Sequence, residues 1–262
     1  MQIEMFFESA CMDYTNKDAP ERYARAQAIL DQDPEIIQFD IYTSSIVGDI
    51  GTVEKILEQN PSLSRKKGGP RNWDPLLYLC YSRVNMLVER YNALATAKIL
   101  LQHGADPNAY FTHPYGSIFT AVTGALGEGE RGAINQPEHQ YGFELAKLLL
   151  DAGANPNDGQ ALYNRMFKPK DDVIRLFLSY GLNAEDKVNW VKNSAYGMLD
   201  FLLGYAVNQR FHERVALLLE HGADPNSLDF YNKKSHYENA VESGCVGIAE
   251  LLMKYARESS GK

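Results

Sequence analysis

The chain has 262 residues, enough to bury a large core, and its 45% apolar and 23% charged content excludes wholesale disorder. A formal charge of −8 opposes phosphate-rich partners, so neither nucleic acid nor an anionic membrane is expected to bind. No apolar run approaches the roughly 20 residues of a membrane helix. The N-terminus MQIEMFFESACMDYTNKD lacks the basic-then-apolar layout of a secretion signal. Cys11, Cys80 and Cys245 are scattered and odd in number, fitting neither a disulfide framework nor a CxxC site. A cytoplasmic monomer without metal or cofactor is the expectation.

The predicted elements come as helix pairs. EMFFESACM (4–12) with AILDQDPEI (28–36) and DIYTSSIVG (40–48) with KILEQNPSL (55–63) are the first two, both weakly marked. DPLLYLCYS (74–82) precedes AKILLQHGADPN (97–108), and SIFTAVTGAL (117–126) precedes AKLLLDAGANPN (146–157). QALYNRMF (160–167) leads to RLFLSYGLNAE (175–185), DFLLGYAVNQ (200–209) to VALLLEHGADPN (215–226), and SHYENAVESG (235–244) to AELLMKYA (249–256). In each second helix a run of leucines with alanine four back lays an apolar stripe on one face. Gly104, Gly153, Gly181 and Gly222 then stop the helix, and Asp-Pro-Asn or Asn-Pro-Asn sets a turn. His103 and His221 fall in a last helical turn, where they serve the terminal carbonyls rather than a metal or a reaction. Spacing between the leucine runs varies from 27 residues (Leu30 to Leu57) to 49 (Leu101 to Leu150).

A leucine triplet followed by HGADPN resembles the end of an ankyrin repeat. The likeness is strong in the second helices ending near Asn108, Asn157 and Asn226 and weak in the first helices. Trp73-Asp74-Pro75-Leu76-Leu77 keeps the proline and leucine of the family's T-P-L-H but loses its threonine and histidine. The resemblance implies an all-α ankyrin-repeat solenoid with short β-hairpin-like fingers. It would form a single domain of about seven units, 1–34, 35–68, 69–108, 109–157, 158–185, 186–226 and 227–258, with a tail at 259–262. It also implies binding of a partner protein through the fingers and a concave face of first helices.

Irregularity marks where function is sought. Arg83–Asn92 and Gly127–Gly142 interrupt the third and fourth units, the latter reading as an exposed loop from its Gly, Pro and Glu content. The fifth unit is compressed, with little room for a finger before Gly159. No phosphate loop, G-x-S-x-G elbow, H-E-x-x-H or EF-hand is present, so no catalytic residue is assigned. Three fingers, SRKKGGPRNW (64–73), AYFTHPYG (109–116) and SLDFYNKKS (227–235), are rich in the aromatic and basic residues that carry interfaces. The expected partner-binding set is Arg71, Trp73, Tyr81, Tyr110, Phe111, Tyr115, Phe167, Trp190, Phe230 and Tyr231, facing a protein that is acidic at the fingers. Two alternatives stay open. One is a small-ligand or metal site under the 127–142 insert, where Glu128, Glu130, Arg131, Glu138 and His139 gather; the other is an immunity-like inhibitor that occludes a basic partner.

Overall fold

Most first helices begin on a capping side chain, which sets their register; the helix Met198–Asn208 starts after Gly197 without one. Asp74 accepts from Leu77 N at 3.0 Å, Thr120 from Thr123 N at 3.0 Å and Asp158 from Ala161 N at 3.0 Å. Second helices end as their sequence dictates: Gly104, Gly153, Gly181 and Gly222 all take φ between 88° and 104°, a region closed to most side chains. His103 Nδ1 and His221 Nδ1 meet the carbonyls of Ile99 and Leu217 at 2.9 and 2.8 Å, filling acceptors the helix end leaves open.

The computed structural model describes residues 2–84, 91–114, 116–190 and 193–260. In order, the helices are α1 (Gln2–Ala10), α2 (Pro20–Gln32), α3 (Ile41–Val47), α4 (Ile50–Gln59), α5 (Pro75–Tyr81), α6 (Ala93–Gln102) and α7 (Ala121–Leu126). They continue as α8 (Gly132–Asn135), α9 (Gly142–Asp151), α10 (Gly159–Met166), α11 (Asp172–Ser179), α12 (Met198–Asn208), α13 (His212–Glu220), α14 (His236–Glu242) and α15 (Val246–Ser260). Strands β1 (Tyr110–Thr112) and β2 (Ile118–Thr120) pair antiparallel as one finger, with Phe111 opposite Phe119. Shorter fingers close through Gly68 with Trp73, Lys187 with Gly197 and Leu228 with Ser235. Between α9 and α10 the chain makes only a turn, as the short spacing implies.

Two compact units form, Met1–Asn155 and Pro156–Lys262. The boundary falls in the Asn-Pro-Asn turn that closes the fourth expected repeat. In unit 1, α3, α5 and α7 stand side by side as a first-helix layer, backed by α4, α6 and α9. In unit 2, α10, α12 and α14 form the first-helix layer, with α13 and α15 behind α12 and α14. Helix pairs, Gly-stopped turns and fingers are the all-α repeat arrangement that the ankyrin-like turns implied. Asparagines replace the missing threonine–histidine tie between turns. Asn108 accepts from Asn155 N (2.8 Å) and donates to Gly153 O (3.0 Å) in unit 1. Asn157 donates to Lys187 O (3.0 Å) and Asn189 to Asn157 O (2.7 Å) in unit 2.

The first expected repeat departs from this pattern. Helices α1 and α2 pack on each other, but the segment leaving α1 turns back along the end of α5. Met12 N donates to Tyr81 O (2.9 Å), Arg83 N to Ala10 O (2.8 Å) and Cys11 Sγ to Tyr78 O (3.5 Å). Phe6 and Phe7 give α1 an apolar face, and a sequence alone does not say which surface that face will cover. The 127–142 stretch is likewise no free loop: Glu128, Gln136 and His139 are buried.

Close approach makes one glycine of the first-helix layer a sharp probe. A Cβ on Gly124 would lie 2.2 Å from the Tyr81 ring. Gly124→Ala is therefore expected to lower stability by about 1–3 kcal/mol, measured by urea unfolding; an unchanged midpoint would contradict this packing.

Candidate partner-binding surfaces

Both units build a continuous array of aromatic rings from fingers and first helices, and the two arrays differ in what lies on them. In unit 1, Trp73 stacks on Phe111 (4.5 Å), Phe111 on Phe119 (5.5 Å), and Trp73 also meets Tyr78 and Tyr81 at 5.4 and 5.2 Å. The chain's own N-terminal segment rests on this array. Phe7 sits edge-on to Tyr78 at 5.4 Å, and Tyr14 lies 4.6 Å from Phe119 and 6.2 Å from Tyr81. Tyr78 and Tyr81 under this segment have 0% exposure, and Trp73, packed among Tyr78, Tyr81 and Phe111, has 5%. Tyr14 holds φ at 58°, a left-handed conformation unfavourable for its side chain, while its hydroxyl donates to Thr123 O at 3.1 Å.

Charge fixes the same segment. Arg71, from the 66–73 finger, pairs with Asp13 at 2.7 Å and donates to the Glu8 and Cys11 carbonyls. Arg22 bridges Asp13 and Asp18 at 3.0 and 2.9 Å. Burial alone would raise the Asp13 carboxyl; the Arg22 hydrogen bond and the charges of Arg71 and Arg22 outweigh it and hold Asp13 well below the ordinary carboxylate range. Asp18 moves the other way, raised by burial and then by the nearby Asp13 charge. The insert closes over this cluster. Gln136 donates to Asp18 (3.1 Å), Arg131 to the carbonyls of Thr15 and Asp18, and Tyr23 to Asn135 O (2.8 Å). Beneath it, Arg83 donates to the carbonyls of Pro137, Gly124 and Ser82, each at 2.7 Å. Burial, helped by the Arg83 charge, pushes the His139 imidazole down to about 3, so it is neutral and accepts from Tyr141 N through Nδ1.

Unit 2 has a longer array with no chain segment laid over it among the described residues. Phe211, Tyr205, Phe167, Tyr163, Trp190, Phe201, Phe230 and Tyr231 follow one another ring to ring at 5.0 to 6.5 Å. Tyr231 is 65% and Phe167 39% exposed, while Tyr163, Trp190, Tyr205 and Phe230 are half-buried. Lys233 Nζ lies 5.1 Å over the Phe230 ring, and Arg210, next to Phe211 in the chain, is exposed. Lys187 is exposed too, and its charge opposes the burial that raises the Asp200 carboxyl.

One polar constellation in unit 2 has the composition of a nucleophile–base–acid set. His236 Nε2 lies 2.9 Å from Ser227 Oγ, and buried Asp229 stands near. The hydroxyl, however, also donates to Asp224 O (2.9 Å), and which way its contact with Nε2 runs depends on the imidazole tautomer. Asp229 accepts from Tyr231 N, Asn232 N and Asn208 Nδ2 rather than from the imidazole. This arrangement pins the finger. Among the described residues no group of His, Cys, Asp or Glu is placed to hold a metal, and no helix is long and apolar enough to cross a membrane.

The residues singled out from the sequence therefore divide. Arg71, Trp73, Tyr81 and Phe111 come together in unit 1 beneath or beside the N-terminal segment, so Arg71→Glu or Trp73→Ala would disturb folding before any partner. Tyr110 stands apart at 49% exposure, with Lys67 Nζ 5.9 Å from its ring. Phe167, Trp190, Phe230 and Tyr231 converge in unit 2; Tyr115 lies outside the described residues. Sequence reasoning missed Tyr163, Phe201 and Tyr205, although Tyr163 and Phe167 are spaced i, i+4 and so share a helix face. It also missed Phe7, Asp13 and Tyr14, for which no local signal exists.

No family model matches the sequence, and no curated protein does. Among solved structures, the human ASB11 ankyrin repeat domain is similar to this chain with a TM-score of 0.49 and 16% identity, covering 82% of each chain.

Proposed function

We propose that this chain is a non-catalytic protein–protein interaction module whose partner docks on the ring array of unit 2. The observation that carries this reading is the contrast between the arrays: unit 1's is covered by residues 6–14, and unit 2's leaves Tyr231 and Phe167 open to solvent. Exposed aromatics over a packed base are the residue type on which binding energy concentrates. First-helix residues follow the same division: Tyr81, Ser82 and Thr123 are buried in unit 1, whereas Phe167, Asn208 and Gln209 are exposed in unit 2.

Tyr231→Ala and Phe167→Ala are each expected to weaken capture of the native partner by about 10-fold or more, leaving the unfolding midpoint unchanged. Affinity capture from native lysate with cross-linking mass spectrometry measures this. Undiminished capture by both variants, with loss in Tyr110→Ala, would move the interface to the unit 1 finger and overturn the reading.

A further inference from the structure

Unit 1 shows, within this molecule, what chemistry a face of this kind holds. Its occupant is extended rather than helical where it crosses the end of α5, and it pairs backbone to backbone there (Cys11 opposite Ser82). It presents two rings, Phe7 and Tyr14, to the aromatic array, and one carboxylate, Asp13, to the finger arginine at 2.7 Å. Ring-on-ring contact, strand addition and a charge-assisted pair are the means by which domains hold peptide segments in trans.

Unit 2 offers a like array with no chain segment over it among the described residues. The array between Phe167 and Tyr231 is contiguous, Lys233 lies over its Phe230 ring, and exposed Arg210 adjoins its Phe211 end. The acidic excess of the chain lies almost wholly in the other unit. Residues 1–155 hold 20 Asp and Glu against 13 Lys and Arg, whereas residues 156–262 hold 14 against 13. A near-neutral unit with exposed cations beside an aromatic surface repels a negative ligand less than unit 1 does, and Lys233 and Arg210 steer one in.

We propose that the segment unit 2 takes from its partner is acidic and carries aromatic anchors, the chemistry that residues 7–14 present to unit 1. This deepens the function proposed above and rests on unit 2 being the docking unit. The rings supply hold, and the cations select sign: a basic segment of equal aromatic content meets Arg210 and Lys233 as like charges and is rejected.

The test is a display library of random 12-residue peptides selected on the immobilised full-length chain, with Phe167→Ala/Tyr231→Ala as the counter-selected variant. Expected are enriched peptides of net negative charge with at least one aromatic residue. Their binding should fall about 10-fold or more in the double variant and in Arg210→Glu/Lys233→Glu, and should weaken with salt. Enrichment of basic or aromatic-free peptides that still need Phe167 and Tyr231 would overturn the proposed chemistry while leaving unit 2 as the docking unit. Enrichment indifferent to Phe167 and Tyr231, or no enrichment, would overturn the proposal; the docking unit itself is then judged by whether native-partner capture still depends on those two residues.

Discussion

Arg214→Ala is expected to destabilise unit 2 by about 3–5 kcal/mol, the range for breaking a buried ion pair on one side. The Arg214 side chain is 1% exposed, and its Nε pairs with Asp171 Oδ1 at 2.6 Å. Its remaining donors hold the carbonyls of Met166 (2.7 Å), Lys168 and Lys170 (3.1 Å), which together form the α10–α11 connection. The guanidinium also lies 5.0 Å over the Phe211 ring, at one end of the array. Alanine leaves Asp171 and three carbonyls without this donor, each an unfavourable buried acceptor where water does not reach it. Arg214→Lys keeps the charge but not the planar fork, so its loss should be smaller, about 2 kcal/mol. The chain holds two tryptophans, Trp73 in unit 1 and Trp190 in unit 2, so a Trp73→Phe background makes Trp190 fluorescence the reporter of unit 2 in urea. A loss under about 1 kcal/mol would contradict the buried-clamp reading of Arg214.

Acid stability of unit 1 is expected to depend on His139. Its folded value, about 3, lies below the ordinary imidazole value of 6.5, so the unfolded chain takes up a proton that the folded chain refuses. The corresponding stability is complete above pH 6.5 and is lost as pH falls toward the folded value, by about 1.4 kcal/mol per pH unit for a single group. Asp18 works in the opposite sense, because a raised carboxyl takes its proton first in the folded state as pH falls. Asp13 adds a further loss only below its ordinary range, where its depressed value is passed. Comparison with His139→Gln isolates the imidazole: between pH 6 and 4 the wild type should lose about 2–3 kcal/mol more than the variant. Urea titrations followed by Trp73 in a Trp190→Phe background measure the difference. Parallel pH profiles would show that His139 gains access to water or a counter-charge.

The repeat grammar was legible because its signals are local. A leucine stripe, a glycine at positive φ and an Asx-Pro-Asn turn each act within one helix end, so α6, α9 and α13 stood out from the sequence with their stops. First-helix caps carry an equally local signal that the sequence reading did not use, since Asp74, Asp158 and Ser235 act on a backbone amide three residues away. The N-terminal hairpin was not. Phe6, Phe7 and Leu30 fit a first repeat as well as they fit a cover, and the choice is made by Arg71 and Tyr78, about sixty residues onward. The 127–142 insert misled through composition: its glycines and Glu read as solvated loop, yet Arg83, Tyr23 and Asp18 give its backbone and side chains buried partners. Of the candidate binding residues, type was legible and burial was not. Trp73 and Tyr231 are both finger aromatics; whether another segment of the chain covers them is a long-range fact.

Hydroxyl-radical footprinting of the free chain tests the central claim, that one array is closed by the chain itself and the other is open. Tyr231, Phe167 and Trp190 should be modified readily, while Trp73, Tyr78 and Tyr81 should stay protected until the chain unfolds. Modification of Trp73 and Tyr81 at rates equal to Tyr231 under native conditions would contradict the account, because the N-terminal segment would then not occupy unit 1.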